Sequence, residues 1–96
     1  MKRLLFLALL LLVACSKPDE WTAFVYPDIE NIPGPQNAEQ YIAGRFQTFE
    51  ACQSAAVGQI RSNQSTSGKL GAYICGLNCE RKTEFANMLV CKEKRK

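Results

Sequence analysis

Four cysteines in the second half of the chain, Cys52, Cys75, Cys79 and Cys91, constrain the fold more than any other feature. A chain of fewer than about 100 residues leaves roughly a third of its unfolded surface exposed, so cross-links matter to it as much as its core. An even set of thiols in such a chain is expected to form two disulfides. Each contributes typically about 2 to 4 kcal/mol. Spacing leaves three pairings open. The favoured one joins Cys75 to Cys91, stapling two neighbouring strands, and Cys52 to Cys79, tying a helix to the turn beyond them. A Cys₄ zinc site normally takes two closely spaced thiol pairs, and only Cys75-Gly76-Leu77-Asn78-Cys79 supplies one. A redox dithiol usually has two residues between its cysteines at a helix start. Three intervening residues that include Gly and Asn suggest a turn instead.

The sequence contains no histidine, which removes Ser-His-Asp and Cys-His nucleophile pairs, imidazole metal ligands and histidine acid–base chemistry. No two carboxylates have a spacing that suggests glycosidase chemistry, and Glu50 is explained by a helix start. The chain is therefore expected not to be an enzyme, to hold no metal and to carry no cofactor beyond a covalent lipid.

That lipid is expected at the fifth cysteine. Lys2 and Arg3 precede an unbroken apolar run, Leu4 to Val13, which stops at Ala14-Cys15 before Ser16-Lys17-Pro18-Asp19-Glu20. This is the layout of a secretory signal. As a helix, Leu4 to Ala14 would span only about 16 Å, against roughly 30 Å of hydrocarbon. Leu12-Val13-Ala14-Cys15 resembles the lipobox of bacterial lipoproteins. The resemblance implies cleavage after Ala14, a diacylglyceryl group on Cys15 and a lipid anchor, since two or three acyl chains hold stably where one does not. It divides the chain into a removed signal (1–14), a lipidated tether (15–20) and a single domain with a basic C-terminal tail (21–96). Ser16 rather than Asp after the lipidated cysteine implies, in a Gram-negative host, the outer membrane facing the periplasm.

Without its signal the chain has a net charge of only +1, so nucleic acid is not an expected partner. The charge is uneven, −4 over Cys15 to Glu50 and +5 over Ala51 to Lys96. The tail Lys92-Glu93-Lys94-Arg95-Lys96 would dominate any attraction to an anionic envelope surface, or simply be a solvated, frayed end.

Trp21-Thr22-Ala23-Phe24-Val25-Tyr26, rich in aromatic and β-branched residues, is expected to be a strand with apolar groups on both faces. Pro27 to Gln40 is an irregular connection, mobile or a binding loop. Tyr41 to Phe46 is a short extended segment. Thr48 is a candidate N-cap, with Glu50 favouring the dipole of a helix over roughly Phe49 to Ser62. Phe49, Cys52, Ala56 and Ile60 share its inner face, and Gly58 with Ala55 and Ala56 suggests close packing on a sheet. Ser62 to Gly68 is a polar linker. Lys69 to Cys75 and Asn87 to Cys91 are expected to form a hairpin with a long loop. Alternation puts Tyr73 and Cys75 on one face, Ala72 and Ile74 on the other. The expected fold is a small α+β domain in the order β-β-α-β-β, one helix packed on a short antiparallel sheet.

The segments Trp21 to Pro27, Gly44 to Cys52, Ala72 to Cys79 and Leu89 to Cys91 together resemble a family of short uncharacterised proteobacterial proteins. That family has a phenylalanine-led helix with one cysteine, a Tyr-x-Cys-Gly-x-Asn-Cys turn and a closing cysteine. The resemblance supports the fold and the disulfides and implies no activity. Where this chain has Ile74 the family pattern has an acid, so no role for that acid carries over. Gly44-Arg45-Phe46-Gln47-Thr48-Phe49-Glu50-Ala51 also resembles the strand-to-helix corner of peptidoglycan-binding SPOR domains, although Phe46 and Phe49 are accounted for equally as core. Trp21 and Tyr26 near the tether are candidates for a recognition patch, with core packing the competing role. Arg81 and Lys82, placed in the hairpin loop, are candidates for contact with an acidic partner. The expected function is that of a membrane-anchored envelope protein binding another macromolecule as accessory subunit, inhibitor or exclusion factor; peptidoglycan binding is the alternative.

Overall fold

The computed structural model describes residues 18–96. Cys15 and the signal segment lie outside the described residues. Six strands and one α-helix follow in order: β1 (Trp21–Tyr26), β2 (Ile42–Phe46), α1 (Phe49–Ser67), β3 (Ala72–Leu77), β4 (Glu80–Lys82), β5 (Met88–Val90) and β6 (Glu93–Arg95). The main sheet is antiparallel in the order β2-β1-β3-β6, and β4 and β5 form a separate two-stranded ribbon. This is a small α+β domain with one helix on an antiparallel sheet and two disulfides.

The aromatic and β-branched run of β1 makes it a central strand, and Trp21, Thr22, Ala23, Phe24 and Val25 are all buried. Because side chains alternate along a strand, each face of the sheet needs its own cover. On one face α1 packs across β1, β2 and β3. The core there joins Trp21, Ala23, Val25, Phe49, Cys52, Ala56, Cys75 and Leu77. Trp21 meets the edge of Phe49 with ring centroids 5.4 Å apart. On the other face lie Thr22 and Phe24. The 3-10 segment Pro35–Tyr41, which buries Ala38, packs against both β1 and β5. Part of the long connection is therefore a covering layer rather than a free loop.

Thr48 caps α1 as the sequence suggests, its hydroxyl accepting the Ala51 N–H at 3.1 Å. The helix runs past Ser62 to Ser67, and in its last turn Ser65, Thr66 and Ser67 turn their hydroxyls back onto the Ser62 and Asn63 carbonyls. Side chains expected to favour a linker thus bond within the helix. Gly68, at φ 74°, ends it in the left-handed conformation that glycine adopts without penalty. Gly58 does not mark close packing: it is exposed, and a Cβ built on it meets nothing within 4 Å. Gly58→Ala is accordingly expected to stabilise the domain by about 0.5–1 kcal/mol, measured by urea unfolding, since it removes backbone freedom from the unfolded chain alone.

The C-terminal third departs from expectation in three ways. Lys69 to Cys75 and Asn87 to Cys91 do not pair: β3 lies between β1 and β6, and β5 pairs with β4 inside the supposed loop. The supposed tail is an edge strand, with Cys75 opposite Arg95 and Leu77 opposite Glu93. It is held by main-chain pairing and by the Arg95 guanidinium stacked 4.1 Å over the Phe49 ring, a contact that suits a cation on an aromatic face. The disulfides join Cys52 to Cys75 and Cys79 to Cys91, not Cys75 to Cys91 and Cys52 to Cys79. Cys75 faces the helix, where Cys52 sits in the first turns of α1. The β4–β5 register sets Glu80 opposite Val90, which brings the next residues outward, Cys79 and Cys91, face to face.

Candidate functional site

The residues singled out for binding do not converge. Trp21 is a core residue. Tyr26 is half-buried against Tyr41, ring centroids 5.4 Å apart; burial first, then Tyr41, raises its phenol above the usual value. Arg81 and Lys82 lie in β4, not in a loop. The Arg81 guanidinium donates to the Glu39 carboxylate and to the Asn87 carbonyl, fastening the ribbon to the 3-10 segment. The Lys82 ammonium is 2.7 Å from the Glu80 carboxylate. Among the described residues no group of three or more cysteine or carboxylate side chains is arranged to hold a metal, and no helix is long and apolar enough to cross a membrane.

The Tyr-x-Cys-Gly-x-Asn-Cys stretch has a structural role at every named position. The Tyr73 hydroxyl accepts from the Gln53 side-chain amide at 3.1 Å. Cys75 bonds to Cys52 on the helix face. Gly76, one residue on, faces the opposite way, and the Cys79–Cys91 bridge sits on it: a Cβ there would lie 2.5 Å from the Cys79 Sγ and 2.6 Å from the Cys91 Sγ. Asn78, at φ 48°, takes a left-handed conformation that asparagine tolerates. Its side-chain oxygen accepts the Glu20 N–H at 2.9 Å while its own N–H donates to the Glu20 carbonyl at 2.8 Å. Asn78 thereby clamps the chain as it enters β1.

The two bridges differ in access. Cys52 and Cys75 are 0% exposed, whereas Cys79 and Cys91 are half-buried. Thiol–disulfide exchange needs in-line approach to a sulfur. Mild reductant on the folded protein is therefore expected to open Cys79–Cys91 first and to leave Cys52–Cys75 closed until the domain unfolds, as read by alkylation and peptide mass spectrometry.

Two of the concavities among the described residues are candidate sites. One, of about 670 Å³, lies where the chain enters the sheet, between Pro18–Glu20, Arg45–Gln47 and Asn78–Glu80; an exposed Arg45–Glu20 pair at 3.6 Å lies at it. The other, of about 450 Å³, lies at the far end of β1 along the β3 flank of α1. Val57, Ile60 and Tyr73 line it, as do Ile29 and Leu70, 48% and 53% exposed.

Ile29 is held in place by its neighbours. Its N–H donates to the Leu70 carbonyl at 2.9 Å. The preceding Asp28 carboxylate accepts from the Asn31 side-chain amide and the Glu30 N–H at 2.9 and 3.0 Å, and faces the Lys69 ammonium at 3.6 Å. The Asn31 amide, then the Glu30 N–H, then Lys69 hold the Asp28 carboxyl below its usual range. A carboxyl depressed in the folded state contributes order above its unfolded pKa of about 3.9 that is lost as pH falls through the lower folded value. Protection of the Ile29 amide, its exchange rate set against the intrinsic rate at the same pH, is expected to fall in that acid window, measured by NMR.

The second concavity is assembled from positions 29, 57–64, 70–73 and 96. The exposed isoleucine in a proline-rich connection and the leucine before β3 were its only sequence signals, and both are commonplace. The chain matches no protein-family model, no curated protein and no solved structure.

Proposed function

We propose that this chain is a lipid-anchored protein of the cell envelope, outer membrane in a Gram-negative host, that acts by binding another macromolecule rather than by catalysis. It would serve as an accessory subunit, an inhibitor or an exclusion factor. The observation that carries the reading is the pair of disulfides in a domain whose first strand begins six positions after Cys15 of the lipobox-like sequence. Disulfides persist in oxidising compartments outside the cytoplasm, and a thiol directly after a short apolar segment is where a lipoprotein carries its acyl chains. No histidine is present, and all four cysteines of the domain are held in bridges, so side chains suited to nucleophilic or redox chemistry are scarce.

The anchor is tested by intact-mass analysis of the full chain extracted from the membranes of its native host. Loss of residues 1–14 and addition of a diacylglyceryl group at Cys15 are expected, and Cys15→Ala is expected to move the protein from the membrane to the soluble fraction. A retained Met1 would overturn the reading. Binding is tested by crosslinking in intact cells. Repeated recovery of no protein partner, with the full chain instead co-sedimenting with purified peptidoglycan, would replace protein binding by the cell-wall alternative.

A further inference from the structure

We infer that the groove between α1 and β3 receives a segment of a partner protein that presents an apolar side chain flanked by carboxylates. The inference rests on the reading that this protein works by binding, and it specifies the surface and the chemistry.

The partly buried lining is apolar, made by Val57, Ile60, Ala72 and Tyr73, and the exposed lining includes Ile29, Leu70, Arg61 and Lys96. Large aliphatic side chains at the lip of a concavity are a feature of recognition surfaces. Here they are pre-positioned, because the Asp28 turn and the Ile29–Leu70 main-chain bond fix the loop that bears Ile29. An occupant would not have to order that loop, which lowers the cost of binding.

Charge selects the occupant. No Asp or Glu side chain lines the groove, and neither the Arg61 nor the Lys96 side chain forms an ion pair with a described residue. Two cations beside an apolar floor attract an anion that brings apolar surface with it. A second copy of this chain fits poorly: isologous pairing would bring together two copies of a groove that carries cationic side chains and no acidic ones. Only 10 residues line the groove, against roughly 20 to 30 a side in a stable interface. An anionic lipid surface would suit a convex face, whereas a concavity of about 450 Å³ takes side chains.

Position agrees with this. The groove lies at the Tyr26–Ala72 end of the sheet, and the chain enters at the Trp21–Leu77 end, about 17–20 Å away along β1. With Cys15 in the membrane, the groove would point outward.

The test places a benzoylphenylalanine photocrosslinker at position 70, in place of the exposed Leu70, in the full chain in its native host. The same probe is placed at position 47, in place of the exposed Gln47 at the entry end, in a parallel strain. The position 70 probe is expected to crosslink a protein, through a peptide that mass spectrometry shows to hold an apolar side chain beside Asp or Glu. Combining Arg61→Glu with Lys96→Glu is expected to lower the yield about tenfold, because reversed rim charges repel the same partner. Crosslinking of position 70 to a second copy, to phospholipid or to peptidoglycan would overturn the inference, as would a yield indifferent to the charge reversal. Crosslinking from position 47 alone would overturn the groove and leave the binding function standing, whereas protein crosslinks from neither position would remove both.

Discussion

Replacing Cys52 and Cys75 together by alanine is expected to cost about 4 kcal/mol and to lower the unfolding midpoint sharply. About 3 kcal/mol comes from releasing a loop whose ends are 23 residues apart. Roughly 1 kcal/mol more comes from the space vacated by two sulfurs among Trp21, Ala23, Phe49 and Ala56. Set against a total of roughly 5 to 10 kcal/mol for a small domain, that loss removes much of what holds α1 to the sheet. Urea unfolding followed by Trp21 fluorescence checks it, since Trp21 lies in the same cluster. The paired replacement of Cys79 and Cys91 is expected to cost less and to loosen chiefly the β4–β5 ribbon. If the two losses came out in the opposite order, α1 would be held by its packing and not by its bridge.

Gly76→Ala is the second large effect, with a sign opposite to that of Gly58→Ala. The new methyl would lie under 3 Å from both sulfurs of the Cys79–Cys91 bridge and 3.3 Å from the Cys91 Cβ. A bridge tethered at both ends cannot swing aside as the tip of a long side chain can. Either β3 bows away from β1 or the bridge is displaced, at a cost of about 1–3 kcal/mol or more. A fall in the urea midpoint is expected, together with partial loss of the bridge measured as free thiol after purification. A midpoint within about 0.5 kcal/mol of wild type, with the thiols fully paired, would mean that the bridge does not rest on the strand.

Much of the helix side of the fold is legible in the residues. The run Trp21 to Tyr26, apolar at every parity, announces a strand covered twice over. Thr48 and Glu50 mark a helix start, and the spacing of Phe49, Cys52 and Ala56 turns Cys52 inward. The other side is not legible because its elements are made by main-chain pairing between charged segments. Glu80-Arg81-Lys82 and Glu93-Lys94-Arg95 carry the composition of loops and tails, yet each is a strand, chosen by the register of the strand beside it. The disulfide pairing followed from those same registers and from which face Cys75 takes, quantities that spacing along a chain does not contain. The helix ends later than its composition suggests, at Gly68, and the hydroxyls that often compete with a helix here bond inside it. The groove residues come together only once α1 is laid across the sheet.

The two covalent loops, 52–75 and 79–91, follow one another along the chain and do not interlock. For a polypeptide threaded N-terminus first across a membrane, the first thiol of the domain to emerge meets its correct mate next, and the third meets the fourth. An oxidant that simply joins cysteines in order of arrival would produce the native set, so maturation of this domain would not depend on a shuffling isomerase.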